Sequence, residues 1–190
     1  MHRFPICLAM CLCLVGLAAS ADQRPNTNKK TLNQPSDIQG YPCAKGIAWF
    51  YDDGKLESCR TARGAPFGEA PVPAGAWIHL TPAGQPAFVF LPHDTRIAAH
   101  TCRGEGHGFT TAFFPSGKLK ECWLAADEEI QSAPCSRGSF SGDVFGGGSS
   151  TQFYESGMLR ACRLSKPALI QDHQFPRGAR VAFDPDGQIK

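Results

Sequence analysis

Phe113-Phe114-Pro115-Ser116-Gly117-Lys118-Leu119-Lys120-Glu121-Cys122 recurs as Phe50-Tyr51-Asp52-Asp53-Gly54-Lys55-Leu56-Glu57-Ser58-Cys59 and as Phe153-Tyr154-Glu155-Ser156-Gly157-Met158-Leu159-Arg160-Ala161-Cys162. Shorter versions are Leu80-Thr81-Pro82-Ala83-Gly84-Gln85-Pro86 and Phe183-Asp184-Pro185-Asp186-Gly187-Gln188-Ile189. Aligned on the turn glycines, Phe50, Leu80, Phe113, Phe153 and Phe183 stand before the turn, and Leu56, Pro86, Leu119, Leu159 and Ile189 after it. Each copy opens on an apolar residue, in order Ile38, Phe67, Ile97, Ile130 and Ile170. These lead to Cys43, Val72, Cys102, Cys135 and Phe175. Residues 38–190 therefore divide into five copies, about 38–64, 65–94, 95–128, 129–167 and 168–190.

Each copy has the chemistry of a β-hairpin. Asp53-Gly54, Ser116-Gly117, Ser156-Gly157 and Asp186-Gly187 tolerate the positive φ of a tight turn. A two-residue turn would set Tyr51 opposite Leu56 and Phe114 opposite Leu119 as cross-strand pairs. A lone hairpin is barely stable in water, so the copies must share a core. The expected fold is all-β: repeated β-hairpins forming one elongated or curved antiparallel sheet.

With 190 residues and a formal net charge of +2, the chain is too nearly neutral to suggest a nucleic-acid partner. Residues 1–21 read as a signal peptide. Met1-His2-Arg3 is the basic start, Phe4 to Leu17 the apolar run and Ala19-Ser20-Ala21 the small-residue cleavage site. No integral membrane segment is expected after its removal, and the chain reads as exported, to the periplasm or beyond. Residues 22–37 are polar, with Leu32 the one sizeable apolar side chain, and read as a flexible tether.

Cleavage would remove Cys7, Cys11 and Cys13 and leave Cys43, Cys59, Cys102, Cys122, Cys135 and Cys162. An even set of cysteines in an oxidising compartment predicts disulfides. Copies one, three and four each hold two cysteines, whereas copy two has Val72 and Val89 at both places. Bridges within copies follow: Cys43 to Cys59, Cys102 to Cys122, and Cys135 to Cys162.

The aromatic-x-x-x-Gly-Lys-Leu core of Phe50 to Leu56 and Phe113 to Leu119 resembles the variant MORN repeats of bacterial YwqK-like proteins. The resemblance implies a meandering antiparallel sheet of hairpins used for binding or as a scaffold, without shared catalytic residues. The cysteine pairs, the longer copies three and four, and the Ile-Gln openings at Ile38-Gln39, Ile130-Gln131 and Ile170-Gln171 set this chain apart.

No catalytic residue, metal site or cofactor is expected. His100, Cys102 and His107 have zinc-like proximity, but a bridged Cys102 offers no thiolate. The glycine-rich stretch lacks the lysine of a phosphate-binding loop, and no Gly-x-Ser-x-Gly elbow occurs. Trp49, Trp77 and Trp123 suggest either a sugar platform or buried sheet aromatics, and the second reading fits their strand context better. The insertion in copy four, with Phe140, Asp143, Phe145, Gly146, Gly147 and Gly148, is the expected contact loop. The sequence thus points to an exported, non-enzymatic binding or scaffold module of the bacterial cell envelope. Its partner would be an unknown protein or a cell-envelope polymer, met through the exposed sheet face or the loops of copies three and four. A small periplasmic hydrolase or metal-binding protein, and a structural envelope protein without a discrete ligand, are the alternatives.

Overall fold

The computed structural model describes residues 27–105, 108–139 and 150–190. The expected signal peptide, His107 and the expected contact loop at Phe140 to Gly148 lie outside the described residues.

The chain builds two hairpins per copy. After β1 (Thr27–Leu32), copy one contributes β2 (Ser36–Ile38), β3 (Tyr41–Cys43), β4 (Gly46–Tyr51) and β5 (Leu56–Arg60). Copy two gives β6 (Ala65–Phe67), β7 (Ala70–Val72), β8 (Trp77–Leu80) and β9 (Pro86–Phe90). Copy three follows with β10 (Thr95–Ile97), β11 (His100–Cys102), β12 (Thr110–Phe113) and β13 (Leu119–Cys122). Copy four supplies β14 (Glu128–Ile130), β15 (Ala133–Cys135), β16 (Thr151–Phe153) and β17 (Leu159–Arg163). Copy five ends the series with β18 (Ala168–Ile170), β19 (His173–Phe175) and β20 (Arg180–Ala182).

The long hairpins join, with β1 and β20 at the two edges, in one open antiparallel sheet of ten strands, ordered β1-β4-β5-β8-β9-β12-β13-β16-β17-β20. The short ones, β2-β3, β6-β7, β10-β11, β14-β15 and β18-β19, form a second layer over one face. Between the layers lies a single core. Phe50, Leu56, Ile78, Val89, Phe113, Leu119, Phe153 and Val181 face it from the sheet, and Phe67, Val72, Ile97, Ile130 and Ile170 from the short hairpins.

Disulfides tie the layers together. Cys43, Cys102 and Cys135 end short hairpins, and bond Cys59, Cys122 and Cys162 on sheet strands. Each bridge lies within one copy. In copy two, Val72 and Val89 are buried apolar substitutes.

Two expectations change. The long-hairpin turns are three-residue loops rather than two-residue ones. Gly54 N donates to Tyr51 O at 2.9 Å and Tyr51 N to Lys55 O at 2.8 Å, with Gly54 left-handed at φ +80°. Such a loop is a β-turn followed by a glycine bulge. The extra residue moves the register, so Leu56 pairs with Phe50 and Leu119 with Phe113. Tyr51 is released from that pairing, and its hydroxyl donates to Leu80 O at 2.7 Å. Tyr154, at the same place in copy four, donates to Phe183 O at 2.7 Å.

The second change concerns residues 22–37. Thr27–Leu32 pairs with β4 along its whole length, from Thr27 opposite Tyr51 to Leu32 opposite Gly46. Its stability comes from ladder hydrogen bonds and from Leu32 against the core, so a polar sequence suffices at a sheet edge. Lys29 and Lys30 on this edge strand also discourage pairing with another chain.

The Ile-Gln openings acquire a structural role. Gln39, Gln131 and Gln171 sit in the short turns at φ +52°, +50° and +49°. Gln39 Nε2 donates to Gly54 O at 3.1 Å while its Oε1 accepts from Leu56 N at 2.9 Å. Gln171 does the same with Gly187 O and Ile189 N. Each amide therefore docks a short hairpin on the long turn of its own copy. Gln39→Ala keeps the unfavourable φ and loses both bonds, so it is expected to lower stability by about 1–2 kcal/mol in denaturant titration.

Candidate functional site

Residues paired across a sheet share a face, which allows the solvent side to be followed strand by strand. One row runs Lys29, Trp49, Ser58, His79, Phe88 and Ala112, and its neighbour Arg60, Trp77, Phe90 and Thr110. Residues between them, such as Cys59, Ile78 and Val89, point into the core. The exposed side of copies one and two is therefore aromatic, where an ordinary one-sided sheet would be polar.

The aromatic rings contact one another. His79 stacks on Phe88 at 4.2 Å between centroids, and Trp77 lies 5.4 Å from His79 and 6.2 Å from Phe90. Phe88 and Phe90 meet edge to face at 5.7 Å. Beside them opens a cleft of about 470 Å³ lined by Lys45, Gly46, Ile47, Trp49, Arg60 and Trp77. Ile47 at its rim is 52% exposed, and it and Leu169 are the large apolar side chains most open to solvent among the described residues. Among the described residues, neither Lys45, Arg60 nor Lys29 forms a salt bridge. The cleft thus combines flat apolar rings with uncompensated positive charge.

His79 is held by packing. Its Nε2 is buried without a hydrogen-bond partner among the described residues, and Nδ1 stands 3.7 Å from Glu57 Oε1, too far for a hydrogen bond. Burial pushes the imidazole down to about 4, and burial also raises the Glu57 carboxyl. The unfolded chain takes up this proton near 6.5 and the folded chain only near about 4. Within that window the unfolded state binds more protons, so acidification destabilises the fold. The contribution is expected to be on the order of 2 kcal/mol, discounted for partial solvent screening. Glu57 acts in the opposite sense, its contribution being present at low pH and lost as pH rises through its folded pKa. Comparing His79→Phe with the parent protein across this pH range isolates the histidine. The variant should be less acid-sensitive, and at neutral pH no less stable, because a buried unpaired nitrogen is removed.

The other sequence candidates fall elsewhere. Trp123 is buried and packs edge to face on Phe109 at 5.4 Å, away from Trp49 and Trp77. The reading of all three tryptophans as buried holds for Trp123 alone; Trp49 and Trp77 are half-buried on the outer face. His100 stacks on Phe153 at 4.6 Å and its Nδ1 lies 2.8 Å from Glu128 Oε1, while Cys102 is bridged to Cys122. Among the described residues, no group of three or more His, Cys, Asp or Glu side chains is arranged to hold a metal ion. A larger hollow, about 620 Å³, lies against Pro167, Leu169, Gln174 and Phe175 of the last short hairpin, but no charged side chain lines it.

Sequence reasoning missed Lys45, Ile47, Arg60, His79, Phe88 and Phe90. The signal was present: Trp77-Ile78-His79-Leu80 and Phe88-Val89-Phe90 carry apolar or aromatic groups on both faces of their strands. A strand needs only one apolar face to join the core, so the second set marks a surface.

Fold and face together define a disulfide-stapled, open β-hairpin-repeat sheet with an aromatic outer surface at its N-terminal end. No family model, curated protein or solved structure matches the chain. The three disulfides fit an oxidising, extracytoplasmic environment, and no helix among the described residues is long and apolar enough to cross a membrane.

Proposed function

We propose that this chain is an exported, non-enzymatic binding module of the bacterial cell envelope, periplasmic or released. Its contact surface is the outer sheet face of copies one and two. The observation that carries the reading is the cleft between Trp49 and Trp77, where half-buried indoles, Ile47 and Arg60 face solvent from strands with neighbours on both sides, and Lys45 joins them from the bend before β4. Paired strands present such groups without a backbone ordering cost on binding, which leaves only the side chains to be fixed. The resemblance to variant MORN repeats belongs to the same proposal, since its hairpin sheet implies binding or scaffolding rather than catalysis.

The test is capture from cell-envelope extract by the immobilised full-length protein and by a Trp49→Ala, Trp77→Ala double variant shown by non-reducing peptide mapping to retain its disulfides. The reading expects a component held by the parent and lost by the variant. Equal recovery by both, or a component lost only when residues 142–149 are deleted, would move the site away from this face. Turnover against a panel of hydrolase substrates would replace the reading with an enzymatic one.

A further inference from the structure

Resting on that binding reading, we infer that the Trp49–Trp77 cleft takes an anionic glycan, a sugar polymer bearing carboxylates. Three features select this ligand. The apolar part of the cleft is two indoles beside Ile47, suited to the C–H face of a pyranose ring, and Trp joins an apolar body to a polar N–H. Its charged part is wholly cationic: Lys45 and Arg60 line it, Lys29 lies across the ladder from Trp49, and no carboxylate lines it. Arginine can grip a carboxylate through two parallel N–H groups.

The third feature is the floor. Strands β4, β5 and β8 beneath the cleft are each laddered to a neighbour on both sides. A peptide added to a sheet draws its affinity from free main-chain groups, and those are found at sheet edges. A sugar ring needs none, only side-chain donors and a flat apolar surface. The floor therefore favours a glycan over an acidic peptide.

The probes are a short oligogalacturonate, its methyl ester and a short hyaluronan, titrated calorimetrically into the full disulfide-bonded protein. The ester keeps the rings and removes the charge. Both acidic sugars are expected to bind, more weakly as salt rises, and the ester about tenfold more weakly than its acid. Arg60→Gln and Lys45→Gln, both at exposed positions, should each weaken the acid about three- to tenfold and leave the ester unchanged. Trp77→Ala should weaken acid and ester alike, by about tenfold.

Equal affinity for acid and ester, or no binding of any of the three, overturns the inference. So does a glutamate-rich peptide that binds through Arg60 and Trp77 more tightly than the sugars, which would make the ligand a protein. If the sugars fail while envelope capture still depends on Trp49 and Trp77, the ligand class falls and the binding surface stands. If both fail, both fall.

Discussion

Gly117→Ala is expected to destabilise the protein by about 2–4 kcal/mol, whereas Gly54→Ala, at the same position of another copy, should cost only about 1–2 kcal/mol. Both glycines close a three-residue loop with nearly the same left-handed φ, +85° and +80°. They share the penalty of placing a side chain in that region. They differ in what a Cβ would touch. At Gly54 nothing lies within 4 Å, but at Gly117 the Cβ would stand 2.8 Å from Gly68 Cα. That neighbour is backbone, so the contact is relieved only by separating the two layers. The same movement would break Glu69 N to Gly117 O, 2.9 Å, and Leu119 N to Glu69 Oε1, 3.0 Å. Gly68→Ala should behave like Gly117→Ala, because its Cβ would stand 2.3 Å from Gly117 O. Chemical denaturation of the three variants measures the difference; equal costs for Gly54 and Gly117 would mean that the layers do not approach so closely there.

This contact also marks an irregularity in the stacking. Copies one, four and five dock their short hairpins on their own long turns through Gln39, Gln131 and Gln171. Copy two instead docks on copy three, through Gly68 and Glu69. It is a copy without a disulfide, and the isolated backbone pairings of Cys43 with Thr61, Cys102 with Leu124 and Cys135 with Leu164 have no counterpart at Val72 among the described residues.

Removing a disulfide is the second large perturbation. Replacing Cys43 and Cys59 together by alanine is expected to lower stability by roughly 3 kcal/mol or more, from chain entropy alone about 3 kcal/mol for a loop of this size. Both cysteines are at most 1% exposed, so alanine also leaves space in the core. A valine pair copies what the sequence already places at Val72 and Val89, and should recover about 1–2 kcal/mol relative to the alanine pair by refilling that space. Thermal unfolding of the parent and of both paired variants checks this. If the valine pair is no better than the alanine pair, packing at the bridge contributes little and the entropic share dominates.

Much of the architecture could be read from the sequence because the turn glycines and the aromatic positions recur in register. That recurrence specified hairpins, a common core and one antiparallel sheet. The short hairpins escaped notice because three-residue strands such as Ser36–Ile38 and Tyr41–Cys43 are too short to display alternation. Their turns also use Gln39-Gly40, Ala98-Ala99 or Gln131-Ser132 in place of the usual Asn-Gly or Asp-Gly. Thr27–Leu32 looked like a tether because composition reports burial, whereas an edge strand is held by its ladder. The outer face was hidden for a related reason. Trp49, Trp77, Phe88 and Phe90 are apolar, and apolar residues are ordinarily assigned to the core until pairing shows which face they occupy.

The most direct measurement of the central claim is hydroxyl-radical footprinting, read at the tryptophans and at Leu169, with and without a cell-envelope polysaccharide fraction. The account predicts that Trp49 and Trp77 become protected together, while buried Trp123 and the last short hairpin, around Leu169, are unchanged. Protection around Leu169 with Trp49 and Trp77 still fully reactive would contradict it.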